Sequence, residues 1–288
     1  MTDGYQDRAL HEVVSARASI PDDVFCYSAV PTWRKRVWTL IDDVITNQVK
    51  AAFKRNPPDY LVSDDLTWLN EIVSAETGRH VEMKRLLAFR LAREYRAFRV
   101  GHGTRTNDLA QFYERGLRYL RAGDVEDTAR ALFMVPKFNG VTENKFAAAV
   151  NAINARSAAG GREGHLYFCA NERDLITRTG GAGHYLIYGS EYLYCLGIRL
   201  VGPSETQKTL KSIGRPTMFV CDIPMTTMCS STLMDFAGSI LEYLFSELID
   251  RRMHALSPEA GSALSLARDL PPEHIVGHYH PARVYDPL

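Results

Sequence analysis

A histidine held between two glycines is the first point in this sequence where residue types and spacing point to chemistry. The stretch VGHGTRTNDLAQFYERGLR, from Val100 to Arg118, sets His102 between Gly101 and Gly103 and follows it with Thr104 and Arg105. Glycines carry no Cβ, so a ligand can lie against the backbone while the imidazole points at it. Further on, GHLYFCANERDLI presents Tyr167, and near the end PPEHIVGHYHPARVY presents Glu273. His274, His278 and His280 do not make a metal motif. His274 and His278 share a face only on a helix, which Gly277 and Pro281 disfavour, and no cysteine pair joins them, so no metal is expected.

The elements that must position these residues change character along the chain. Residues 32–95 read as helices: TWRKRVWTLIDDVITNQVKAAFKR spaces Trp33, Val37, Leu40, Ile41, Val44 and Val49 at three- and four-residue steps, SDDLTWLNEIVSAETG ends at Gly78, and HVEMKRLLAFRLAREY runs to about Tyr95. After Tyr95 come short apolar or aromatic runs that read as strands: RAFRVGHG, GHLYFCA, HYLIYGS, YLYCLGIRLVG, TMFVCDIP and EHIVGHYH. The strand before His102 is expected over Ala97 to Val100, with Gly101 to Gly103 leaving it and a short helix from Asp108 to Glu114 stopped at Gly116. Longer helices are expected over Asn107 to Leu120, Val125 to Met134, Glu143 to Ser157 and Ser231 to Met253. The pattern is α+β, with a helical region at 1–95 and a mixed domain at 96–288. No G-x-G-x-x-G follows a strand, so a Rossmann dinucleotide site finds no support.

Composition narrows the class. The chain has 288 residues, 45% of them hydrophobic, and 34 basic side chains against 34 acidic ones. That is enough to bury a core, and it leaves no global charge to attract nucleic acid, although a local patch is compatible with it. Neither a signal peptide nor an apolar run of membrane-spanning length is visible, so a cytoplasmic protein is expected. The five cysteines, Cys26, Cys169, Cys195, Cys221 and Cys229, lack CxxC spacing and read as reduced structural thiols.

The three chemistry-bearing segments together resemble ADP-ribosyltransferases of the His-Tyr-Glu class, which includes the poly(ADP-ribose) polymerases and the diphtheria-type toxins. In that family a strand ends in His-Gly-Ser or His-Gly-Thr and a short helix closed by Gly-Leu or Gly-Ile follows, as in HGTRTNDLAQFYERGLR. The resemblance implies a split β-sheet core with helical insertions. It gives His102 the adenosine-side ribose of NAD, Gly103 the nicotinamide amide and Thr104 a supporting contact. It puts the ring of Tyr167 against the nicotinamide and makes Glu273 the carboxylate that stabilises the oxocarbenium-like state, with Glu205 and Glu259 as substitutes. A second stacking tyrosine is available in Tyr185, Tyr188 or Tyr192, of which Tyr185 is counted with the NAD contacts, as is Arg105.

The implied activity is a pentosyl transfer: mono-ADP-ribosylation of a macromolecular acceptor, protein or nucleic acid, with NAD as substrate. Intracellular bacterial relatives of this size are commonly toxins silenced by an antitoxin or tied to antiviral defence. Two segments depart from a minimal transferase, the helical stretch 124–159 and the helix 231–253. RNA 2′-phosphotransferases share the His-Gly-Thr strand end and need several arginines around a phosphate, for which Arg99, Arg105 and Arg118 are available. A binding module that keeps the fold without the chemistry is the third reading.

Overall fold

The computed structural model describes residues 20–156, 163–177, 182–249 and 263–288. It is an α+β chain with a six-stranded sheet of β1 (Val24–Phe25), β2 (Ala97–Thr106), β3 (Leu166–Cys169), β4 (Arg215–Pro224), β5 (Ala263–Leu266) and β6 (Ile275–Tyr279). The strand order is β5-β3-β2-β4-β6, with β1 parallel to the start of β2. By contacts the chain divides into two units, one holding the described residues of 20–99 and 222–262, the other those of 100–221 and 263–288.

The first unit is helical. Its helices are α1 (Val30–Leu40), α2 (Asn47–Arg55), α3 (Thr67–Thr77) and α4 (Met83–Glu94), joined from far along the chain by α12 (Ser230–Ile249). The single periodic stretch at 32–55 is thus two helices. Thr46 begins the second by accepting a hydrogen bond from the Val49 N–H at 3.3 Å, while Ile41, Val44 and Ile45 stay buried in the connection. α12 packs on α4 closely enough that a Cβ at Gly238 would lie 2.8 Å from Lys84 Cε of α4, and 2.4 Å from the Ser63 carbonyl oxygen ahead of α3. Aromatic rings join α12 to α2 and α1: Phe53 meets Phe245 edge-on at 4.9 Å, and Trp33 meets Tyr243 at 5.9 Å. The helix expected over 231–253 is therefore described to Ile249 and belongs to this unit, while residues 250–253, 157–159 and 1–19 lie outside the described residues.

Within the same unit, Arg99 on β2 and Asp222 on β4 form a bidentate ion pair, Nε to Oδ1 at 2.7 Å and Nη2 to Oδ2 at 2.8 Å. The side chains are 2% and 12% exposed. A guanidinium removed from water needs such a partner, and the planar fork fixes the two strands against each other as well as neutralising the charge. Arg99 is consequently spent inside the protein and is no phosphate ligand.

The second unit carries the rest of the sheet and the helices α5 (Ala110–Arg115), α6 (Ala122–Phe133), α7 (Glu143–Arg156), α8 (Arg173–Ile176), α9 (His184–Tyr188), α10 (Glu191–Val201) and α11 (Pro203–Lys211). Two of these correct the sequence reading, since HYLIYGS and YLYCLGIRLVG form helices where strands were expected. In α10 the buried set Leu193, Leu196, Gly197 and Leu200 follows the helical period, and Ser190 caps the start by accepting from the Leu193 N–H at 3.3 Å. Aromatic and branched residues raised a strand signal there, but the packing face decides. Phe133, Phe146, Leu196 and Leu200 then share one core, and Leu175, Leu186, Met218 and Val220 another. No disulfide joins the five cysteines, of which Cys229 is exposed and Cys195 partly so. Among the described residues no helix is long and apolar enough to cross a membrane.

Because the Arg99–Asp222 pair is buried, Asp222→Ala takes the neutralising carboxylate from a guanidinium in the interior. Urea denaturation of that variant is expected to show a loss of about 3–5 kcal/mol relative to the parent protein.

Candidate functional site

β2 does not end before His102, as the glycines led us to expect, but continues to Thr106 with β3 on one side and β4 on the other. The ladder to β3 is antiparallel and rests on the pair Gly101↔Cys169. Two residues further along β3, the Tyr167 carbonyl oxygen takes its hydrogen bond from a side chain, His102 Nδ1 at 2.8 Å. A carbonyl only accepts, so Nδ1 carries the proton and Nε2 presents a lone pair. Burial pushes the His102 pKa below the ordinary imidazole value, so the ring is neutral near pH 7. The edge of Phe168 steadies it, with centroids 5.7 Å apart. The result is an uncharged, oriented imidazole whose second nitrogen can accept a hydrogen bond from a hydroxyl.

The flanking glycines have another origin from the one read in the sequence. A Cβ at Gly101 would lie 2.7 Å from Glu172 Cγ and 2.9 Å from Met218 Sδ, and one at Gly103 would lie 3.1 Å from Leu186. Protein side chains fill the space the missing Cβ atoms leave, so packing requires these glycines. Glu172 is itself buried and accepts a hydrogen bond from Tyr279 Oη at 2.9 Å.

Tyr167 is half-buried, with its ring 6.1 Å from that of His165, and its backbone pairs with Ser265 of β5. Thr104 and Arg105 border a cavity of about 240 Å³ whose walls include Val125, Leu132, Tyr188, Ser190 and Leu193. Arg105 does not point a free cation into it. Its Nε donates to the Ile213 carbonyl at 2.9 Å, and Nη2 donates to those of Lys211 and Gly214, each at 2.8 Å. The expected phosphate contact is instead a clamp on the turn after α11.

Of the three tyrosines, Tyr188 is the one at this cavity. It stacks on Tyr194 with centroids 4.6 Å apart and donates from Oη to Asp286 at 2.6 Å, while Lys211 Nζ holds the same carboxylate at 2.8 Å. Tyr185, counted from the sequence with the NAD contacts, lies against His184 and donates to Glu191 at 3.2 Å. Tyr192 donates to Glu126 at 2.8 Å. Two features were missed in the sequence. Asp286 carries no local signal, and Val125 and Leu132 sit in the 124–159 stretch that matched nothing.

Glu273 is not brought to the pair. It is exposed in a short turn before β6, and β2 and β4 separate β6 from the strand of Tyr167. Three strand spacings amount to roughly 14 Å, whereas a carboxylate that serves the ribose must sit beside the ring bonded to it. The strand next to Tyr167 is β5, and Glu259, which precedes it in sequence, lies outside the described residues, while Glu205 is half-buried and pairs with Lys137 and Lys208. Among the described residues no three His, Cys, Asp or Glu side chains are grouped to hold a metal ion. No protein-family model, curated protein or solved structure matches the chain.

Two outcomes follow from this geometry. Gly101→Ala is expected to destabilise the protein by roughly 1–3 kcal/mol in thermal unfolding, the cost of overpacking; a glycine kept for ligand approach alone would leave stability unchanged. In an NMR titration the His102 ring should titrate below 6.5, with the proton on Nδ1 at pH 7. The unfolded chain binds that proton more readily, so this residue's contribution to stability is complete above pH 6.5 and declines as the pH falls toward its folded value.

Proposed function

We propose that the chain is an NAD-dependent mono-ADP-ribosyltransferase with its NAD cleft at His102, Thr104 and Tyr167. One observation carries the reading. The two segments that resemble the transferase motifs are joined by the hydrogen bond from His102 to the Tyr167 carbonyl, and Thr104, two residues on from His102 along β2, lines a cavity. A neutral imidazole with a free lone pair suits a ribose hydroxyl, and a cavity walled by Tyr188 and aliphatic side chains suits a flat ring.

In the reaction the bond from the nicotinamide nitrogen to the ribose anomeric carbon breaks, and its electron pair leaves with nicotinamide. The acceptor nucleophile bonds to that carbon and gives up its proton. The intermediate charge is oxocarbenium-like, so an anion placed at that ribose binds the transition state better than the ground state. The position of Glu273 removes it from that role in our reading and leaves Glu259 as the carboxylate to test. The same fact favours a second reading, in which the cleft binds NAD or ADP-ribose without chemistry. The phosphotransferase reading loses support because Arg99 and Arg105 are both engaged within the protein.

Labelled NAD incubated with the protein and a cell lysate, then separated into protein, RNA and DNA, tests the proposal. Label is expected in one macromolecular fraction, with Tyr167→Ala and Glu259→Gln each reducing transfer about 10²-fold or more and Glu273→Gln retaining most of it. NAD binding by calorimetry with no transfer and no nicotinamide release would establish the binding-module reading instead, and absence of NAD binding would overturn both.

A further inference from the structure

The segment after α5 reads Arg115-Gly-Leu-Arg118-Tyr-Leu-Arg121, and the fold fastens it on three sides. Gly116 adopts a φ of +77°, and a Cβ there would lie 2.0 Å from the Leu270 carbonyl oxygen, so only glycine lets the two backbones approach. Leu117 and Leu270 then exchange hydrogen bonds at 2.9 and 2.8 Å. Leu120 is tied to the lead-in of β3, its N–H donating to the His165 carbonyl at 3.1 Å and its carbonyl accepting from the Gly164 N–H at 2.9 Å. The segment therefore lies rigidly beside the strand that carries Tyr167.

Three arginines stand exposed on this frame: Arg115 and Arg118 on the segment itself, and Arg268 two residues before Leu270. None of the three makes an ion pair among the described residues. Of the nearby acids, Asp269 accepts from the Tyr119 N–H at 2.9 Å and lies 3.4 Å from Arg121, and the exposed Glu114, Glu163 and Glu273 form no ion pair with the three arginines. Between the arginines, the Tyr119 ring is half-buried beneath the Arg121 guanidinium, 4.9 Å from its centroid. Unpaired guanidinium forks match phosphates, and aromatic faces between them match bases.

We propose that this face, formed by residues 115–121 and Arg268, binds single-stranded nucleic acid and delivers a base toward Tyr167. As an acceptor site it rests on the transferase reading above; as a binding surface it does not. A protein of zero formal net charge can do this because the phosphates meet the local charge, and the same constraint makes the binding strongly dependent on salt.

The experiment is fluorescence anisotropy with short labelled single-stranded RNA and DNA of mixed sequence, without NAD, between about 50 and 200 mM salt. The whole protein is compared with Arg115→Gln/Arg118→Gln/Arg268→Gln. The triple variant is expected to melt at the parent temperature, to bind about tenfold more weakly, and to show a log affinity against log salt slope shallower by about 2, the value for three lost phosphate contacts on a single strand. Equal affinity and slope for both proteins, or no binding of either strand, overturns the surface whatever the fate of the labelled NAD. If oligonucleotides bind through the three arginines but no label is transferred, the surface stands and the transferase reading fails. Preference for RNA or DNA identifies which polymer the face takes.

Discussion

The register between β2 and β4 depends on a buried pair of opposite charges. Arg99 and Asp222 meet through two parallel hydrogen bonds, and the fork tolerates no sliding of one strand along the other. Side chains alternate along a strand, so a slip of one residue would turn each residue beyond Arg99 to the other face of the sheet. His102 stands three positions further along the same strand, and its meeting with the Tyr167 carbonyl lies across the other ladder of β2, the one with β3 that rests on Gly101↔Cys169.

Around His102, glycines required by packing alternate with polar side chains. Gly101 and Gly103 are given over to Glu172, Met218 and Leu186, while the imidazole between them is uncharged and held by a backbone oxygen. Arg105 continues the division, since its guanidinium holds the turn after α11 while Thr104 remains at the cavity. Such spending of strong donors on backbone carbonyls fixes a cavity wall without placing a charge in the cavity.

The sequence revealed the class of fold, the helices of the first third, the start of the strand that runs on through His102 and the strands of Tyr167 and Ile275, because apolar period and turn residues agree there. It misread the segment from His184 to Val201, where aromatic residues suggested strands while the spacing of Leu193, Leu196 and Leu200 obeyed a helix. It also misplaced Glu273. Which late strand lies beside Tyr167 is a matter of sheet order, set by long-range pairing of β5 with β3, and no local pattern records it. The glycines beside His102 show the same limit. Their type was legible, but whether protein or ligand fills the vacated space is decided by Glu172 and Leu186, far along the chain.

The contact between Tyr188 and Asp286 spans 98 positions of the chain. Bringing its ends together costs loop-closure entropy before the hydrogen bond returns anything, whereas Tyr188 and Tyr194 meet locally through adjoining helices. The stacked rings therefore belong to the early, local part of folding, and the carboxylate that fixes Tyr188 belongs to the late part. One wall of the cavity at Thr104 accordingly depends on residues near the other end of the chain being in place.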